Sequence, residues 1–448
     1  MKKKIIYSFA ALLTFVCGCG DSSSSDEPSL VTGLTIKIEQ SITQQYSGNI
    51  ESVRAVEGRD LPSAIAVASK SKVIRYLEND GTQLKNFKDD FVLKNTTYLT
   101  EDNDDNELTN SAVFDMDTVL VTYTKLTKNG NKEVTDCGGN LLKVVNANDA
   151  PGVSAFDVGP MPDAVAVSPD KRYVLTADEH DNAFDGKCKL ASYNPGISIF
   201  TVDSAKNINY VKRILFTKNS RGEAREPEYI AVSNNSDVVA VTLQDSYEVA
   251  IFKLSEVMAK DGQILDETGI KFVDIPANAE GVKAWPDGIV AFDASHKNYF
   301  AMAGEGSDSI IIIDEDGNII SNTQITEKEV PPNYPCLKAD WFPGTKYSPD
   351  SITAFRLNNK DYVAATLRYA GAVIFYDVSD PAKPVFEMIT RSGVGDVVGN
   401  GVCTEDNTSK NYPEGISSAV VGDAAYIWVA NEGDSSVSSI KVTAITTP

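Results

Sequence analysis

A proline followed by an acidic residue opens a short apolar run five times along this 448-residue chain. The pairs are Pro162-Asp163, Pro227-Glu228, Pro286-Asp287, Pro349-Asp350 and Pro413-Glu414, spaced by 65, 59, 63 and 64 residues. A period of this size, made of strands and turns without an amphipathic helix, marks an array whose units cannot bury their apolar faces alone.

The unit from Pro286 is the cleanest. It predicts strands over Ile289–Ala294, Tyr299–Ala303, Ser309–Asp314 and Asn318–Gln324, with an Asp-Gly hairpin at Asp316-Gly317. The unit from Pro349 repeats the order, with strands over Ile352–Leu357, Tyr362–Leu367, Val373–Val378 and Val385–Thr390. Four antiparallel strands make one propeller blade. Two weaker openings, Pro62 with Ala64–Ala68 and the region of Asn110 with Ala112–Phe114, bring the expected count to seven. The last unit stops after three strands at Val437–Val442, while an orphan strand, Gly33–Ile38, begins the body. A ring must cover its open edges, so that strand is expected to complete the last blade of an all-β, seven-bladed propeller.

Residues 1–18 read as a leader, with Lys2 to Lys4 ahead of an apolar run from Ile5 to Val16. That run is too short for a membrane span, which needs roughly 20 residues. Val16-Cys17-Gly18-Cys19 has the form of a bacterial lipobox, making Cys19 the lipidated first residue. Residues 19–32 then form a Ser-rich tether and 33–448 the propeller. With 41 Lys and Arg against 63 Asp and Glu, the net charge is −22. So acidic a chain repels nucleic-acid phosphates and anionic lipid headgroups. Cys137, Cys188, Cys336 and Cys403 are an even set in an exported chain. The expected pairs are Cys137 with Cys188 and Cys336 with Cys403, each in predicted loops of neighbouring units.

Four segments carry a family resemblance: YVLTADEHDNAF from Tyr173, VVAVTLQDSYEVAIF from Val238, YVAATLRYAGAVIFYDVSDPAKPVF from Tyr362, and YPEGISSAVVGDAAYIWVANEGDSSVSSIKV from Tyr412. Over roughly Leu61 to Val442 the chain resembles the choice-of-anchor I family of exported bacterial propellers, itself similar to YVTN-type repeat proteins. The resemblance implies surface attachment and no agreed activity; some family members carry phosphatase or nucleotidase labels.

In an antiparallel blade the start of the first strand and the end of the second lie at one rim. Asp163, Glu228, Asp287, Asp350 and Glu414 occupy the first place, and Glu179, Gln244, Glu305, Arg368 and Glu432 the second. These ten are expected to surround one mouth of the central channel as a site for a cation or polar ligand. The competing expectation is that each acid clasps backbone amides of its own or the next blade. The insertion from Asp178 to Gly196 lies on the same rim, where Asp178, Asp181 and Asp185 are possible Ca²⁺ ligands. The acidic stretch from Glu101 has the alternate spacing of a calcium loop at Asp102, Asp104 and Asn106. It lacks the required glycine and closing glutamate, and reads as solvated.

Only His180 and His296 exist, which disfavours a zinc centre. There is no GxSxG, HExxH, phosphate loop, GxGxxG or CxxCH. Trp285 and Trp341 stand in loops on the acid-rich rim, and Trp428 reads as packed between blades. The expectation is an outer-membrane-anchored, non-catalytic binding, adhesion or scaffold module with a protein or glycan partner. The alternatives are a calcium-dependent phosphoesterase and a periplasmic scaffold for envelope assembly.

Overall fold

Buried apolar runs alternating with tight turns pair each strand with its successor, and the chain forms seven antiparallel sheets. The computed structural model describes residues 34–93, 106–131, 134–147, 151–179, 194–336, 345–394, 403 and 410–446. The innermost strands, one per blade, are Ile50–Val56, Glu107–Val113, Pro162–Val167, Pro227–Val232, Pro286–Ala294, Pro349–Leu357 and Pro413–Val421. Each touches the next, and the last touches the first, so they close a circle. The architecture is a seven-bladed β-propeller, as the repeat predicts.

Seven apolar clusters fill the seven gaps between adjacent sheets. Trp428 is fully buried in the gap between the last blade and the first, beside Ile50, Val53 and Ala64. No sheet could bury these residues alone, which is the physical content of the repeat.

The ring is closed by hydrogen bonding of the chain's two ends. Leu34–Gln45 pairs antiparallel with Ser436–Thr446, from Leu34 opposite Thr446 to Gln45 opposite Ser436. The closing strand runs to Gln45, past the expected end at Ile38, and a register shift between Ile38 and Gln40 carries it on. Ile36 is buried against the last two blades.

One expected opening is corrected. Ala64–Ala68 belongs to the second strand of blade 1, Ser63–Ala68, and the innermost strand is Ile50–Val56. The second strand is buried throughout, whereas IESVRAV borders the channel, carries Glu51 and Arg54, and so reads less apolar. A helix absent from the sequence pattern, Leu254–Ala259, follows the third strand of blade 4 and buries Leu254 and Val257. A two-residue strand beyond it, Ile264–Leu265, adds in parallel to the edge of blade 3.

Cys336 and Cys403 form the expected disulfide, with Cα atoms 4.8 Å apart. Cys137 is disulfide-bonded as well, but it sits buried within the strand Val134–Val145 instead of in a loop. Cys188, His180, Asp181, Asp185, Trp341, Asp102, Asp104 and the segment holding Cys19 lie outside the described residues.

Candidate functional site: an acidic mouth of the central channel

Each innermost strand shifts register near the mouth end of its pairing with the second strand. A β-bulge bends the strand and re-aims a side chain. The bulged positions carry Glu51, Thr109, Asp163, Glu228, Asp287, Asp350 and Glu414, in blade order. Six blades therefore present a carboxylate at one structural place, and blade 2 presents Thr109, whose hydroxyl donates to the Pro162 carbonyl at 2.6 Å.

The residues past the second strands are tied to the same rim. Backbone N–H groups of Glu179, Gln244, Glu305, Arg368 and Glu432 donate to the carbonyls of Met161, Glu226, Trp285, Ser348 and Tyr412. Each acceptor immediately precedes the blade's proline. Four of these acceptors, Met161, Trp285, Ser348 and Tyr412, have φ of 46°, 47°, 54° and 42°. Left-handed backbone in non-glycine residues is strained, and here it recurs around one opening. Close packing supports the geometry: a Cβ on Gly288 would lie 2.6 Å from the Asp350 carbonyl oxygen, so only glycine lets blades 5 and 6 approach this far.

Charge compensation around the mouth is uneven. Arg368 of blade 6 hydrogen-bonds the Glu414 carboxylate, and lies 3.6 Å from Asp350 and 3.8 Å from Glu305. Glu305 also accepts from Ser348 Oγ at 2.8 Å and from Gln244 Nε2 at 3.2 Å. Asn49 Nδ2 donates to Glu432 at 2.8 Å. Asp287, only 8 % exposed, has no hydrogen bond or ion pair among the described residues. Burial and the neighbouring Asp350, Glu305 and Asp163 hold its carboxyl well above the usual range, and Arg368 opposes them.

Among the described residues, two groups of three carboxylates place oxygens within 4.8 Å of one another: Glu51, Glu414 and Glu432, and Glu179, Glu226 and Glu228. Burial, with Glu414 and Glu432, pushes Glu51 up to about 10. Burial, with Glu179 and Asp245, pushes Glu226 up to about 11. Glu51 and Glu226 escape the sequence reading. Glu51 follows Ile50 where the other acids follow proline, and Glu226 stands on the near side of Pro227.

The mouth has a floor. Tyr229 reaches from blade 4 to blade 6, where Ser351 Oγ donates to its hydroxyl at 2.9 Å. Arg54 spans blades 7, 1 and 2, donating to Ile416 O, Ser111 O and Asn110 Oδ1. Both line a cavity of about 340 Å³ in the channel, whose walls are Ala, Val and Ile side chains interrupted by Asn234, Ser351, Thr353 and Ser417.

Asp178 is not part of the mouth's open surface. It is fully buried in blade 3, where Gly159 N, Ser198 Oγ and Thr176 Oγ1 donate to it and Arg213 lies 3.4 Å away. The backbone clasp expected of the ring acids is made instead by Asp308, which accepts from the amides of Lys346, Tyr347 and Ser348 at 2.6 to 2.9 Å. Trp285 is partly buried, edge-on to Tyr247. His296 is exposed in the turn between Pro286–Ala294 and Lys297–Gly304, on the opposite rim.

No family model matches the chain, and neither does any curated protein sequence. Solved structures do match. Virginiamycin B lyase from Staphylococcus aureus is similar with a TM-score of 0.51 at 12 % identity, covering 90 % of this chain and 99 % of that one. A streptogramin B lyase is similar with a TM-score of 0.52 at 12 % identity, covering 92 % and 98 %. A periplasmic gluconolactonase from Pseudomonas aeruginosa gives 0.49 at 11 % identity, covering 93 % and 100 %. Likeness at this identity is one of fold.

Proposed function

We propose that this chain is an exported binding module, lipid-anchored through Cys19 to a bacterial outer membrane, that takes up cations or cationic groups of a protein or glycan partner at its acidic mouth. One observation carries this reading: six of seven blades set a carboxylate at the same bulge, with Arg368 the one guanidinium paired to them among the described residues. Clustered carboxylates in a partly desolvated cup must either hold protons or gain a cation. The resemblance to the choice-of-anchor I family supports the exported setting. The fold is compatible with catalysis, since lyases share it, and the rim carboxylates suit a calcium-dependent phosphoesterase as the second reading.

Calorimetry with spermidine as the cationic probe tests the module. The full chain should show saturable binding at moderate salt that is lost in Asp287→Asn and kept in Glu327→Gln, which alters an exposed acid away from the mouth. A phosphoester assay with and without calcium runs beside it. Calcium-dependent turnover abolished by Asp287→Asn would establish the enzyme and displace the binding module.

A further inference from the structure

The channel cavity holds a charge that the mouth does not use. Arg54 is the one charged residue lining it, and among the described residues no carboxylate pairs with its guanidinium. Neutral acceptors hold Arg54 in place: the Ser111 carbonyl at 2.7 Å, Asn110 Oδ1 at 2.7 Å and the Ile416 carbonyl at 3.3 Å. A guanidinium carries five N–H donors, one on Nε and two on each terminal nitrogen. The bonds to Ser111, Asn110 and Ile416 leave one N–H spare on each terminal nitrogen of Arg54. Burial opposes the charged form of Arg54, and the titratable neighbour that acts on it is the Tyr229 phenol. The Tyr229 hydroxyl accepts from Ser351 Oγ at 2.9 Å, and its own proton has no acceptor among the described residues.

Away from this polar end the cavity is lined mainly by Ala, Val and Ile, contributed by all seven innermost strands. Its volume of about 340 Å³ falls at the lower end of small-molecule pockets, roughly 300 to 1,000 Å³. The lining starts past the bulged acids and reaches Asn234, in the turn between Pro227–Val232 and Val238–Leu243 on the rim away from the mouth. A second cavity, of about 290 Å³, shares Asn234 and Ala291 and extends to Asp293 and Arg356, which gives a path from that rim. The mouth acids that act on Tyr229 from the other side include Asp350 and Asp287. Burial and neighbouring acids hold both carboxyls well above the usual range, so protons blunt their repulsion of an anion at the floor.

We propose that the channel cavity binds a small monocarboxylate with an apolar body, its carboxylate on Arg54 and Tyr229 and its hydrocarbon part among the Ala, Val and Ile side chains. A carboxylate gives acceptors to the spare guanidinium N–H groups and to the Tyr229 proton, and it neutralises a cation that burial makes costly. A phosphate dianion calls for a second cation, which no described lining residue supplies. This site is separate from the cation reading of the mouth and stands without it.

Calorimetric titration of the full chain with sodium hexanoate tests the site. Hexanoate should bind saturably at one equivalent. Acetate, which lacks the apolar body, should bind at least tenfold more weakly, and so should 1-hexanol, which lacks the charge. Arg54→Gln should weaken hexanoate binding roughly tenfold or more, and Tyr229→Phe, which removes a single oxygen, about two- to tenfold. Glu327→Gln, an exposed acid elsewhere, should leave it within about twofold. Arg54 also ties blades 7, 1 and 2 together, so Tyr229→Phe decides the matter where Arg54→Gln does not fold. Absence of saturable hexanoate binding, equal binding of acetate or 1-hexanol, or unchanged affinity in folded Arg54→Gln or in Tyr229→Phe overturns the site.

Discussion

Arg368, just past the second strand of blade 6, hydrogen-bonds Glu414 on the innermost strand of blade 7. The guanidinium thus crosses a blade boundary to serve three carboxyl groups from three blades. Its ionised form is held far more firmly than usual by Glu414, Asp350, Glu305 and Asp287, against the cost of burial. Breaking a largely buried pair by removing one partner leaves uncompensated charge, although the 30 % exposure of the Arg368 side chain screens part of it. Arg368→Ala should lower stability by about 2 kcal/mol at pH 7 and by less at pH 5, as read from urea unfolding at both values. Equal losses at the two pH values would mean that the arginine acts through packing alone.

The mouth sets a pH dependence whose sign follows from raised carboxyl pKa values. Burial lifts Asp163 from 3.8 to about 6 and Glu414 from 4.5 to about 7, the latter against the pull of Arg368. Between these ordinary and raised values the folded chain keeps protons that the unfolded chain releases, so their stabilisation is lost as pH rises through about 6 to 7. Protein in EDTA should melt at a higher temperature at pH 5 than at pH 8, and spermidine should recover part of the loss at pH 8. A melting temperature that climbs from pH 5 to pH 8 in EDTA contradicts this account.

Ring closure depends on the strand Leu34–Gln45. Ile36, 5 % exposed, fills the gap between the last two blades. Ile36→Ala should cost about 2 to 4 kcal/mol, measured by denaturant unfolding. Its hydrogen exchange should rise first in Ser436–Thr446, the partner strand whose edge is uncovered.

Gly288 has no room for a side chain, since its ideal Cβ would lie 2.6 Å from both the Asp350 carbonyl oxygen and the Ser351 Cα. Both obstacles are backbone, so neither can swing aside. Gly288→Ala should destabilise the protein by about 1 to 3 kcal/mol and reduce spermidine binding by displacing Asp287 and Asp350. Unaltered melting and unaltered binding together would show that blades 5 and 6 separate freely at the mouth.

Five of the six bulge carboxylates were legible because a proline announces each: Asp163, Glu228, Asp287, Asp350 and Glu414. Proline has no N–H to give and suits the first residue of a strand, so the pair marks a strand start from local chemistry alone. Glu51 follows Ile50 and Thr109 follows Leu108, so blades 1 and 2 lack that signal and their openings were placed less well. Glu226 was hidden differently. It sits in the loop before Pro227, and only the fold turns it toward Glu179 of the preceding blade.

Strand order and blade count were set by the sequence itself, because alternation, turn residues and a repeated period act between near neighbours, and the pairing of Leu34–Gln45 with Ser436–Thr446 was legible because an orphan first strand and a three-stranded last unit leave edges that must be covered. The partners of each charge were decided by tertiary structure. Coulomb attraction and desolvation depend on distances across blade boundaries, between residues such as Arg368 and Glu414 or Glu179 and Glu226 that lie nearly fifty residues apart in the chain and meet only when neighbouring blades pack together.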